Sequence, residues 1–73
     1  MNTDIKELLL NASPASLSEY KSIAEYKLKD HKTSLFRVMI DSTFSPSYRR
    51  TLETNIRLIE EVLAFIEIVE RNR

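Results

Sequence analysis

The chain has 73 residues, with eleven basic and eleven acidic side chains, no cysteine and one histidine. A chain of that length is one domain at most and holds a small margin of stability, and neither disulfides nor a zinc site can add to it, which leaves a partner as the remaining support. The charges cancel again within each half, six against six through Thr43 and five against five beyond it, so there is no basic face for bulk binding of nucleic acid or an anionic membrane.

Glycine is absent, which removes the residue that phosphate loops and tight hairpin turns depend on and makes strands joined by turns a poor fit. The opening residues Met1-Asn2-Thr3-Asp4 are polar, and the only apolar run near them is Leu8 to Leu10, so no secretory signal is expected. No stretch approaches the roughly 20 apolar residues that span a bilayer. With the missing cysteines, this makes the cytoplasm the expected location.

The first element is a short helix over about residues 4–11, opened by an Asp4-x-x-Glu7 capping box. Asn11 to Ser13 breaks it. A second helix follows over about residues 15–41, and two starts compete: Ser13 before Pro14, or Ser16 with Glu19 as its capping-box partner. Leu17, Tyr20, Ala24, Leu28, His31, Leu35 and Val38 recur at steps of three and four, the signature of one helical stripe. Asp41-Ser42-Thr43 and Ser45-Pro46-Ser47 end it. Ser45 then serves as N-cap and Pro46 as the first residue of a third helix over 46–71.

That last helix carries two apolar lines. Tyr48, Leu52, Ile56, Ile59, Leu63 and Ile66 form one, and Leu58, Val62, Phe65 and Val69 form the other. Together they cover about half the circumference at 100° per residue, wider than one neighbouring helix covers. Arg50, Glu53, Arg57, Glu60, Glu61 and Glu67 occupy the polar side, with Glu53/Arg57 and Glu67/Arg71 spaced as favourable i,i+4 pairs. The short connection favours antiparallel packing. The expected fold is therefore all-α, a single domain over 1–73 in which a short N-terminal helix precedes an antiparallel, coiled-coil-like two-helix hairpin.

No constellation dictates a chemistry. His31 lies on the apolar stripe, and a His-Asp-Ser relay through Asp41 lacks the glycine-containing elbow and oxyanion hole it needs. Glu53, Glu60, Glu61, Glu67 and Glu70 read as a solvated helix face, because the Glu-x-x-His spacing of di-metal bundles is missing. Neither a catalytic residue, a metal nor a cofactor is expected. Arg49 and Arg50 open the last helix, where positive charge is slightly disfavoured, and read first as solubilising residues. Asn11-Ala12-Ser13 matches a glycosylation acceptor by chance, being followed by Pro14 with no secretory context.

More informative are the apolar residues left over. Leu28, Leu35, Val38, Leu52, Ile59 and Leu63 suffice to join the second and third helices. Leu58, Val62, Phe65 and Val69, with Phe36 and Ile40 off the main stripe of the second helix, then form a candidate partner-binding surface. Its ligand is another protein or a second copy of the chain.

The layout of a short acidic-apolar first helix, a polar middle helix, and Ser45-Pro46-Ser47-Tyr48 opening a last helix with Leu52, Ile56, Ile59, Val62, Leu63 and Ile66 resembles the small co-chaperones of type III secretion needle subunits, the YscE-like group. The layout spans most of the chain, and the more specific part is the last third. The resemblance implies a bacterial cytoplasmic hairpin that joins a tetratricopeptide-type chaperone and helps keep the needle subunit unpolymerised, with no catalytic residue. The alternative, from another class, is a homodimeric four-helix-bundle regulator that contacts nucleic acid through Arg49, Arg50 and nearby lysines.

Overall fold

The computed structural model describes residues 1–41 and 43–73; Ser42, which the sequence places in the stretch between the two long helices, lies outside them. Every regular element among the described residues is helical: α1 over Thr3–Asn11, α2 over Pro14–Ile40 and α3 over Pro46–Arg71. Most tertiary contact joins α2 to α3, and α1 lies against α3.

Each helix start has a side-chain cap that satisfies an otherwise orphaned backbone N–H. For α1 the cap is Asn2, whose Oδ1 accepts the Asp4 N–H at 2.7 Å. The Asp4/Glu7 capping box is thereby corrected: asparagine caps as well as aspartate, and starting one residue earlier puts the Asp4 carboxylate inside the first turn, where the helix dipole favours it. The choice at α2 falls to Ser13, whose Oγ accepts the Ser16 N–H at 3.1 Å. Ser16 bonds back to it, its Oγ accepting from the Ser13 hydroxyl at 3.0 Å. Ser45 caps α3 as expected, accepting the Tyr48 N–H at 3.1 Å, and Pro46 sits where its missing N–H costs nothing.

The molecule is long for its mass, 46 × 20 × 15 Å with a radius of gyration of 14.4 Å, against about 11 Å for a compact chain of this length. A hairpin of two helices near 40 Å long buries one stripe from each and little else. Val38, Leu52 and Ile56 are buried along it, with Leu28, Leu35, Ile59 and Leu63 half-buried. The densest packing lies at the end where α1 joins, around Leu9, Leu17, Ile66 and Val69.

Polar ties close that end. Lys21 Nζ meets Glu70 Oε1 at 3.4 Å between α2 and α3, the Met1 ammonium meets Glu61 Oε2 at 3.4 Å, and Arg73 Nη2 donates to the Leu10 carbonyl at 2.8 Å. The last two contacts fix α1 parallel to the C-terminal turns of α3, because Met1, just ahead of α1, meets Glu61 and Leu10, near its end, meets Arg73. All three pairings are solvent-exposed at least on one side and add little individually.

At the other end Asp41 Oδ1 accepts the Thr43 N–H at 3.0 Å and the Thr43 hydroxyl at 2.8 Å. These bonds hold the Asp41 carboxyl below its ordinary value of 3.8. A folded-state value below the unfolded one means the ionised carboxylate favours folding; that contribution is full above about pH 4 and is lost as pH falls through the lowered value. Asp41→Asn is therefore expected to lower the thermal midpoint slightly at pH 7, and its curve is expected to converge on that of the parent protein as pH falls below about 4. A gap between the two that stays constant from pH 7 to pH 3 would show that the charge does not matter there.

Candidate partner-binding face

The second apolar line of α3 is split by α1. Val69 is 5 % exposed and belongs to the core, and Val62 and Phe65 are half-buried against the same cluster, beside Met1, Ala12 and Tyr20. Val69 thus leaves the candidate surface, and Val62 and Phe65 are only partly open. The physical reason is that α1 needs a seat for Leu9, and the excess width of α3 provides it. Periodicity along α3 shows that an extra line exists without showing which helix covers it.

Beyond the start of α1 the same face is open. Ala24, Lys27 and His31 from α2 form one wall of a groove of about 310 Å³, and Asn55, Leu58, Ile59 and Val62 from α3 form the other. Ile5 of α1 closes its lower end. From Asn55 to Val62 the groove runs for two helical turns, about 10 Å. Leu58, 44 % exposed, stands at its edge.

Phe36 and Ile40 are 63 % and 71 % exposed. At 100° per residue they point to nearly the opposite side of α2 from Ala24, Lys27 and His31, so they do not share a surface with Leu58 and Val62. Phe36 lines a separate depression along α2 with Glu25, Leu28, Lys29, Lys32 and Thr33, and Ile40 ends α2 at the hairpin tip, near exposed Met39, Phe44 and Tyr48. The Phe44 and Tyr48 rings stack at 5.6 Å with 24° between planes. The sequence reading did not single out that pair as a surface feature, although its i,i+4 spacing across Ser45-Pro46 is the signal that finds it.

Lys27 and Asn55 are groove residues that hydrophobic periodicity had no means of selecting. The spacing of Lys27 one turn before His31 is the only sequence hint of a common wall.

His31 Nδ1 lies 2.8 Å from the Lys27 carbonyl. A carbonyl oxygen only accepts, so Nδ1 carries the proton and donates. Asp41 is ten residues further along α2, about 15 Å away, and is bonded to Thr43; the imagined relay between the two is not assembled. Arg49 Nε pairs with Glu53 Oε1 at 2.9 Å, so Glu53 is held by the residue one turn before it rather than by Arg57. Arg50 lines a polar depression with Ser47, Thr51, Thr54 and Asn55. Among the described residues no group of three or more histidine or carboxylate side chains is placed to hold a metal ion, and no helix is long and apolar enough to cross a membrane.

The geometry defines an all-helical chain built on an antiparallel hairpin, with one inter-helix groove half filled by its own first helix. No family model, curated protein or solved structure matches it.

Proposed function

We propose that this chain is a non-catalytic, protein-binding adaptor or co-chaperone that uses the face formed by α2 and α3 as its binding surface. The observation that carries this reading is the groove: an apolar strip on a rigid helical scaffold, half occupied by α1 and half open at Leu58, Ile59 and Val62. A short chain with few buried apolar residues gains most of any further stability from a partner that covers such a strip. The resemblance to needle-subunit co-chaperones gives that partner a class, a tetratricopeptide-type chaperone acting with a needle subunit in the bacterial cytoplasm.

The test is reconstitution with the chaperone and needle subunit of the native host. The expected result is a soluble ternary complex in which the needle subunit remains monomeric. Fibres that form as readily with this chain as without it would sink the reading.

Leu58→Asp is the informative substitution, because Leu58 is exposed and its loss leaves the core intact. It is expected to weaken partner binding by about 2 kcal/mol or more while the circular-dichroism melt stays within a few degrees of the parent. Val62→Asp and Phe65→Asp are poorer probes, since both side chains also pack against the α1 core. Unchanged affinity in Leu58→Asp moves the binding surface elsewhere.

The elongated shape favours a second reading, a homodimeric four-helix bundle in which two hairpins cover each other. Light scattering at low micromolar concentration separates the two, because the dimer reading requires twice the 8.5 kDa chain mass with no partner added.

A further inference from the structure

The open half of the groove has a character that narrows what fits it. Its floor is apolar, from Ala24, Ile59 and Val62. Every charged or titratable side chain on its walls is a nitrogen base: Lys27 and His31 on the α2 side, with the uncharged Asn55, Leu58, Ile59 and Val62 on the α3 side. Neither Lys27 nor His31 makes an ion pair among the described residues. The groove is also continuous with a seat that already holds a helix, since α1 lies on the same α2–α3 face and places Leu9 between Leu17 and the Ile66/Val69 pair.

We propose that this open half takes an acidic amphipathic helix of a partner protein, laid end to end with α1. The proposal rests on the protein-binding reading above and deepens it by fixing the occupant. Two turns of helix, with apolar residues at i, i+3 or i+4, and i+7, match the roughly 10 Å between Asn55 and Val62. A glutamate or aspartate on the edge facing α2 then meets the Lys27 ammonium, which has no carboxylate partner among the described residues. Charge of that sign steers the encounter and rejects basic helices. A second copy fits less well: its acidic apolar helix, α1 with exposed Ile5 and Leu8 beside Asp4 and Glu7, is already anchored in its own chain through buried Leu9, and its exposed Phe36 lies beside Lys29 and Lys32.

The probe is a pair of helix-locked peptides with identical leucines at i, i+4 and i+7, one flanked by glutamates and the other by lysines. They are titrated into the full chain at low salt while amide NMR signals are followed. The glutamate peptide is expected to shift the signals of Ala24, Lys27, His31, Leu58 and Val62, to leave the tip around Phe44 unmoved, and to keep the amides of α1 protected from exchange. The lysine peptide is expected to bind about tenfold more weakly, and Lys27→Glu is expected to reverse the order.

Equal binding of both peptides, shifts confined to the tip, no shifts, or loss of protection in α1 would each overturn the proposal. Groove shifts that grow with protein concentration before any peptide is added would overturn it in favour of a second copy. The reading as an adaptor is judged separately, by the ternary complex: a complex that forms while both peptides fail removes the groove occupant alone.

Discussion

Ile66→Ala is expected to lower stability by about 3 kcal/mol and the thermal midpoint by about 15 °C. Ile66 is 0 % exposed, and it sits where all three helices meet, with Leu9 from α1, Leu17 from α2 and Val69 from its own helix in the same cluster. Truncating it removes three heavy atoms and leaves a cavity that none of the three neighbours can fill without moving its helix. Alanine's better helix propensity returns only about 0.4 kcal/mol. For a chain of this size the loss is a large share of the total, so a measurable unfolded fraction is expected at 37 °C. The same truncation at Ile68, which is 48 % exposed, provides the internal comparison and is expected to cost under about 0.5 kcal/mol. Urea denaturation followed by circular dichroism measures both. Equal losses at the two positions would mean that the three-helix junction is not the principal core.

That junction also marks what the sequence made legible. The three helices and the hairpin follow from local chemistry: serine caps ahead of Pro14 and Pro46, an unbroken step of three and four from Leu17 to Val38, and the stronger periodicity from Tyr48 to Ile66. Each of those signals acts within a few residues, so each is readable one segment at a time. The excess width of α3 is likewise a local property. Its occupant is not. Whether Val69 faces a partner or faces Leu9 depends on where a nine-residue helix sixty positions earlier comes to rest, and no spacing within α3 encodes that. Glu53 is a second case in which spacing leaves the partner open: Arg49 and Arg57 are equally spaced from it, and the structure pairs it with Arg49. Phe36 and Ile40 stand out correctly as exposed apolar residues, yet grouping them with Leu58 needs a rotation about α2 that the structure does not have.

Leu9→Asp is expected to detach α1 from the hairpin while α2 and α3 stay paired. Leu9 is 2 % exposed and is the only buried residue of α1, so a carboxylate there either loses its charge or pulls the helix into water. A nine-residue helix has no independent stability, because nucleation is unfavourable and isolated helices of this length are marginal even in good sequences. The expected result is loss of exchange protection for the amides of residues 5–11, with the Val38, Leu52 and Ile56 segment of the hairpin still protected. Detachment also uncovers Leu17, Tyr20, Val62, Phe65 and Val69 as a strip continuous with Leu58 and Ile59. An apolar strip of that length on an elongated hairpin is self-complementary enough to drive association, so the variant is expected to run as a dimer or larger species in light scattering at concentrations where the parent chain does not. Adding Leu58→Asp to Leu9→Asp places a charge in the middle of the uncovered strip and is expected to return the protein toward the mass of a single chain. If Leu9→Asp instead unfolds α2 and α3 together with α1, the three helices form one cooperative unit, and the face beneath α1 is core in the full sense rather than a binding groove that the chain covers for itself.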